Sequence, residues 1–529
     1  MPTLDWIGKS KVINHHLDVP FRVLERQYSY DADGKHETDN GSENMIIRGD
    51  NLEALKALLP RYEGKVKCIY IDPPYNTGNE GWVYNDNVND PKIKKWLGEV
   101  VGKEGEDLTR HDKWLCMMYP RLKILWKLLH PTKGVIFISI DENEYANLKL
   151  LCNEIFGQNN FVITIAWQKR YSRENRGSIG DSHEYILTYA TDPEVFKVTR
   201  HFLPLTEKQL ASYSNPDNDP RGPWQSVSLL AQGYRPNQMY KIVAPNGKEH
   251  FPPEGRCWTT IESEYLKAFA DNRVTFGSDG NGVPRRKQYL AEAKGLVPWS
   301  WWPFEEVGHT DEAKKEIKAV LGDITAFDTP KPVRLIQRIV QIATDSDSII
   351  LDSFAGSGTT AHAVLNMNKT DGGHRKFILV EMMDYADSIT AERVKRVIQG
   401  YGSGKTAVPG TGGSFSFYDL GEPLMIGDEL NEAVGIEKLR DYIWYTETRK
   451  PLPTEKPEHP YLLGTSNGTA YYFYYEPDSV TVLDHAFLAT ITEKADGCII
   501  YADRCALSES KLAELGIVFK KIPRDITRL

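Results

Sequence analysis

The chain is poor in cysteine, and none of it is paired in sequence. Its cysteines, Cys68, Cys116, Cys152, Cys257, Cys498 and Cys505, are scattered with no Cys-x-x-Cys spacing. That excludes a zinc ribbon or a disulfide framework and fits a reducing, cytoplasmic setting. No apolar run approaches the ~18 residues of a membrane span. Met1 to Lys11 has the pattern of neither a signal peptide nor a basic amphipathic leader. Strong positive charge is missing too. The net charge is −9, so any nucleic-acid surface must come from local charge distribution. No internal repeat occurs. What is present is ample for cores. The chain has 529 residues, 40% apolar and 26% charged, which suits two to four domains of a soluble protein.

The pattern centres on Asp72-Pro73-Pro74-Tyr75. It follows Val66 to Ile71, a β-branched and aromatic run with the character of a buried strand. The tetrapeptide therefore lies at a strand's carboxyl end, where open α/β sheets place ligands. Two prolines fix two φ angles and remove two donors, making the turn rigid. The Asp72 carboxylate and the Pro73 carbonyl then become fixed acceptors beside the Tyr75 ring. Two acceptors and a stacking face suit a planar ring with an exocyclic amino group, such as a nucleobase pulled from its stack. A plain proline turn capping a strand has the same local pattern.

A second constellation decides between them. Ser348 to Asp352 reads as a strand, followed by Ser353-Phe354-Ala355-Gly356-Ser357-Gly358-Thr359-Thr360 and an apolar helix start. Strand, glycine turn and helix N-terminus form the nucleotide-cofactor arrangement of a doubly wound sheet. It is not a phosphate loop of the P-loop kind, because no Lys follows the second glycine. Lys376 to Val380 is a further strand ending in Glu381, an acid placed to hold ribose hydroxyls. Asn44 to Asp50 is another strand, and Asp50 suits the N-cap of the helix after it.

Here the chain resembles the S-adenosylmethionine-dependent DNA amino-methyltransferases. Asp72 to Tyr75 matches that family's catalytic motif and Phe354 to Thr359 its cofactor motif. The catalytic motif comes first, with a long variable region between, which resembles the beta group. Gly49 to Leu55, Tyr70 to Gly78 and Phe327 to Leu335 extend the likeness to the modification subunits of type III restriction systems. The likeness covers roughly residues 1 to 400. It implies a doubly wound, mostly parallel, seven-stranded-type α/β sheet that is circularly permuted. Asp352, Glu381, Asp50 and Asp72 would then end strands along one sheet edge. It implies a cofactor site of Asp50, Lys331, Asp352, Phe354, Gly356, Ser357, Gly358, Thr359 and Glu381, with Asp50 at the adenine end and the Lys331 segment at the methionine end. It implies methylation of the 6-amino nitrogen of a flipped adenine in double-stranded DNA. Cytosine 4-amino methylation is the nearest alternative, and Asp at position 72 favours adenine. A DNA-recognition subunit with little catalysis is the alternative of another class. No metal is needed. A homodimer and a separate nuclease/ATPase subunit are the partners implied.

The domains expected are a 1–44 extension, a 45–192 catalytic half, a 193–325 target-recognition region, a 326–400 cofactor half and a 415–529 α/β domain. Residues 28–43 are polar and expected as loop, 76–107 as a mobile loop, and 400–413 as a glycine-rich linker. Phe161–Trp167 and Glu184–Tyr189 should pair antiparallel. Between them, Lys169, Arg170, Arg173 and Arg176 with Tyr171 suit a phosphate-contacting loop. Arg285, Arg286 and Lys287 are the candidate DNA contacts of the recognition region. Lys331 stands just before a helix start at Pro332, where the dipole disfavours a cation. That local cost points to a role.

Overall fold

A computed structural model of the chain describes residues 3–77, 110–172, 179–322, 327, 329–450, 452–453 and 457–524. Two compact units form, residues 202–298 and the remainder. Among the described residues no helix is long and apolar enough to cross a membrane.

The larger unit is built on one eleven-stranded sheet. Its strands are β1 (Arg22–Asp31), β2 (Gly34–His36), β3 (Met45–Arg48), β4 (Cys68–Ile71), β5 (Val135–Ile140), β6 (Phe161–Gln168), β7 (His183–Ala190), β8 (Trp301–Trp302), β9 (Ile349–Asp352), β10 (Lys376–Glu381) and β11 (Ser414–Pro423). In space they run β8-β6-β7-β5-β4-β9-β10-β3-β11-β1-β2. The six from β5 to β11 are parallel. β7 runs antiparallel to β6, as the sequence predicts, and to β5 as well. The central strands are apolar on both faces because helices cover both. β5 is buried at every position. Helices α1 (Asn51–Tyr62), α2 (Arg110–Leu128), α3 (Val333–Ala343) and α4 (Thr359–Asp371) follow the same logic. In α2, Trp114, Met117, Leu122 and Leu125 are core residues, as their spacing requires.

Strands β4, β9, β10 and β3 are consecutive parallel neighbours. Asp72, Asp352, Glu381 and Asp50 therefore fall at one edge, although the chain visits them in a different order. A permuted connection leaves the sheet unchanged, because strand pairing depends on position in space and not on chain order.

Several expectations change. Residues 28–43 are not simply loop: ten-residue β1 runs to Asp31 and β2 follows. Tyr28, Ser29 and Tyr30 are buried in β1, which is paired on both sides at Ser29 and Tyr30, and only the short β2 forms the sheet edge there. The expected boundary at 415 cuts through β11, which lies between β3 and β1 inside the main sheet. Beyond it, Leu462–Ser466, Thr469–Phe473, Gly497–Ala502 and Ile517–Lys521 form a separate four-stranded sheet. Helix Ile436–Thr448 joins that part to the main fold through Asp441, whose carboxylate is 2.9 Å from Arg61 in α1. The 400–413 stretch contains a short hairpin, Gly400–Tyr401 with Val408–Pro409. The 76–107 loop lies almost wholly outside the described residues.

The smaller unit, 202–298, carries the three-stranded sheet Val274–Thr275, Arg285–Tyr289 and Trp224–Ser228. Its core gathers Ile242, Trp258, Tyr265 and Phe276. It is tighter than the predicted 193–325 region. Pro193–Thr199, β8 and Thr310–Leu321 belong to the larger unit.

Candidate functional site

The glycine turn after β9 is held by bonds among its own neighbours. Gly356 and Gly358 have φ of 51° and 79°, the left-handed region that glycine enters at little cost. A Cβ at Gly358 would lie 3.0 Å from the Thr390 carbonyl, and one at Gly356 would lie 3.0 Å from the Phe327 ring. Gly358 caps α4. Asp352 accepts the Phe354 backbone N–H at 3.1 Å and the Thr360 hydroxyl at 2.6 Å. Glu381 accepts the Gly356 N–H at 2.8 Å and the Met383 N–H at 3.0 Å. Burial pushes both acids up to about 7. Behind the turn, buried Arg393 donates to Ser357 Oγ at 2.9 Å and Thr359 Oγ1 at 2.8 Å. Sequence reasoning missed Arg393. No local pattern marks an arginine that folds back from a following helix.

Asp50 caps α1, accepting Leu52 and Glu53 N–H groups at 2.8 and 3.2 Å. Its other oxygen lies 3.1 Å from buried Arg121. The capping role anticipated from sequence is present at the edge the cofactor would use.

The Asp72 turn is organised by charge. The Trp114 indole donates to the Pro74 carbonyl at 2.6 Å, anchoring the turn to α2. Asn76 follows in the left-handed region, φ 57°. Both Asp72 oxygens accept from Lys331 Nζ, at 3.0 and 2.8 Å. That ammonium lies over the Tyr75 ring, 4.9 Å from its centroid, and 5.8 Å from the Trp167 ring centroid. Glu184, at the start of β7, accepts the Tyr75 hydroxyl at 3.0 Å and lies 3.6 Å from Lys331 Nζ. On its other side Lys169 approaches Glu184 to 3.4 Å and Asp181 to 2.7 Å. Burial raises the Asp72 carboxyl even with an ammonium on it. Burial also acts to raise Glu184, but Lys331 and Lys169 outweigh it and hold that carboxyl low.

The structure thus brings together Asp72, Tyr75, Lys331, Asp352 and the glycine turn. Asp72, Lys331, Asp352 and the turn residues Phe354 to Ser357 line a cavity of about 20 Å³, room for roughly one water molecule. Lys331 meets Asp72, whereas the sequence placed it at the cofactor. Glu184 had been read only as strand.

The candidate DNA contacts divide. Arg170, Arg285 and Arg286 are exposed. Lys169 and Lys287 are not free contacts. Both are buried, Lys169 in the pairs above and Lys287 against Asp217 and Asp219. A buried ammonium needs a carboxylate, and the sequence did not show these partners. Arg173 and Arg176 lie outside the described residues. Among the described residues no cluster of His, Cys, Asp and Glu has the arrangement of a metal site.

The sequence pattern of the family described as DNA methylase matches residues 66–442. The type III restriction-modification enzyme StyLTI Mod subunit of Salmonella typhimurium is 39% identical over 428 residues, covering 74% of this chain and 62% of that protein. The EcoPI Mod subunit of Escherichia phage P1 is 33% identical, covering 72% of this chain and 63% of that protein. The chain thus spans under two thirds of these relatives' length. Type II methyltransferase M.KpnI of Klebsiella pneumoniae is 33% identical, covering 65% of this chain and 81% of that protein. Among solved structures, the cytosine-N4-specific PvuII DNA methyltransferase aligns at 12% identity and TM-score 0.35, over 66% of this chain and 86% of that one.

Proposed function

The chain belongs to the DNA methylase family, and from that membership we propose that it moves a methyl group from S-adenosylmethionine to the 6-amino nitrogen of adenine in double-stranded DNA. The observation that carries this reading is the meeting of two motifs far apart in sequence. The Asp72–Tyr75 turn and the glycine turn follow adjacent strands, β4 and β9, at one sheet edge.

The residues suit the cofactor. Glu381, at a strand end, offers acceptors to ribose hydroxyls. Gly356 and Gly358 keep the backbone bare where a Cβ would crowd Phe327 and Thr390. When bound, S-adenosylmethionine supplies an activated methyl group. The chain's own residues supply position. The adenine 6-amino nitrogen is a poor nucleophile because its lone pair is delocalised into the ring. Asp72 and the Pro73 carbonyl would accept hydrogen bonds from its two N–H groups and favour the pyramidal form. Tyr75 offers a stacking face to the extruded base. Orientation of this kind provides much of the acceleration.

The relatives' names place them in restriction-modification enzymes. The corresponding proposal is that this chain is a modification component working beside a separate restriction subunit, with dimerisation of the chain part of that assembly. Exposed Arg285 and Arg286 support residues 202–298 as the target-reading unit. Sequencing modified bases in DNA from cells expressing the chain tests the activity. Adenine methylation at one motif, absent with Asp72→Ala, is expected. No methylation, or methylation of cytosine, overturns the reading.

A further inference from the structure

Resting on the methyltransferase reading, we propose that Lys331 is a placeholder for the target amino group, and that Glu184 is the seat it moves to when the base arrives. The ammonium occupies both features the base would need. It takes both oxygens of Asp72 at 3.0 and 2.8 Å. It also covers the Tyr75 face at 4.9 Å. An adenine amino group and the Lys331 ammonium therefore compete for the same carboxylate and the same ring face. On the glycine-turn side the cavity beside Asp72 and Lys331 is about 20 Å³, room for roughly one water molecule. For the base to take both features, the lysine must leave.

A buried ammonium does not leave for nothing, because an unpaired charge in the interior is costly. The second carboxylate answers that need. Glu184 lies 3.6 Å away, a longer ion pair than the two contacts with Asp72. Glu184 is itself fixed by the Tyr75 hydroxyl at 3.0 Å and approached by Lys169. The backbone of Lys331 stays put, since its carbonyl accepts the Thr359 hydroxyl at 3.3 Å and α3 begins two residues later. Only the flexible four-carbon stem has to turn. Asp72 thus stays neutralised until a donor with the right geometry replaces the lysine. A base without an exocyclic amino group offers Asp72 no such exchange. Glu184 is a positioning residue in this scheme, acting through Lys331.

The test uses the full chain and a duplex bearing the motif it methylates in cells, with 2-aminopurine beside the target adenine, which keeps its 6-amino group. The 2-aminopurine fluorescence without cofactor reports the unstacked base. Lys331→Met should raise the signal severalfold. Glu184→Gln should lower it and raise KM for DNA more than it lowers kcat, because the displacement belongs to binding. The double variant should match Lys331→Met, since no lysine then needs a seat. A double variant below both singles means Glu184 merely supports the fold, and overturns the proposal. So does an unchanged signal in Glu184→Gln. A crystal structure of the wild-type chain with an extruded adenine needs no variant. Lys331 Nζ should bond Glu184 there, and finding it still on Asp72 overturns the proposal. If the wild-type chain methylates no DNA, the underlying reading fails first and takes this one with it. Methylation by the wild type alongside unresponsive variants removes the placeholder alone.

Discussion

The two halves of the site are built on opposite principles. Around the glycine turn, polar groups are satisfied by near neighbours. Asp352 bonds residues 354 and 360, and Glu381 bonds 356 and 383. Around Asp72 the partners are remote, since Lys331 and Glu184 stand 259 and 109 residues from the groups they touch. The first arrangement is pre-organised, as a cradle for a fixed cofactor must be. The second holds charges in competition, which suits a pocket that a DNA base enters and leaves. Under the proposed function, rigidity would fall to the cofactor and exchangeable contacts to the base.

The largest expected effect separates the halves outright. Asp72→Ala should lower single-turnover methyl transfer by several powers of ten while both ligands still bind, because the lost contact acts mainly in the transition state. Transfer near the wild-type rate would remove the turn from the chemistry. The reciprocal change is Gly358→Val. Its Cβ would meet the Thr390 carbonyl at 3.0 Å with φ at 79°, and a β-branched residue there carries roughly 1–3 kcal/mol of strain. Titration calorimetry should show lost cofactor binding, with a lowered melting temperature. Unchanged affinity would mean the turn is not the cradle.

A milder change tests the same half. Glu381→Ala should weaken S-adenosylmethionine by roughly 1–3 kcal/mol, the scale of an unsatisfied polar partner. Wild-type affinity in that variant removes the ribose assignment. Acidity then gives a graded version. Burial holds Glu381 near 7 instead of 4.5, so the folded state prefers its neutral acid. That share of stability is full below the unfolded value and is lost as pH rises through about 7. Cofactor hydroxyls prefer the carboxylate, so affinity should rise over the same interval. Glu381→Gln should flatten the profile, and a flat wild-type profile would sink the assignment.

The smallest effect extends the contrast to free and engaged cations. Arg286 is exposed and Lys287 is buried against Asp217 and Asp219. Arg286→Ala should weaken DNA binding and reduce the salt slope by about 1. Lys287→Met should instead lower thermal stability. If the two variants behave alike, the division of the recognition unit is wrong.

How much was legible follows the same line. The glycine turn, β9, β10 and the Asp72 motif were readable because their signals are contiguous: a strand, a turn, a helix start. Their convergence followed from parallel strands ending at one edge. What stayed hidden depended on distance. Lys169 and Lys287 looked like loop cations because Asp181, Asp217 and Asp219 are neighbours only after folding. Lys331 was singled out by its unfavourable place before a helix, yet Asp72, which offsets that cost, could not be named. The end of β1 looked like loop because its main strand partner, β11, is remote in sequence and the polar stretch after Asp31 blurred the signal.

The order of strands has one more consequence, in time. β3 and β4 are made early and close together, yet β9 and β10 stand between them in the sheet. Some 280 residues separate the end of β4 from the start of β9, on the order of 15–55 s of synthesis at ~5–20 residues per second. During that interval the middle of the sheet does not exist, and two apolar strands wait with open edges. Chains stalled on the ribosome before residue 349 should therefore be cut readily by protease around β3 and β4, and gain protection only after β10 has emerged.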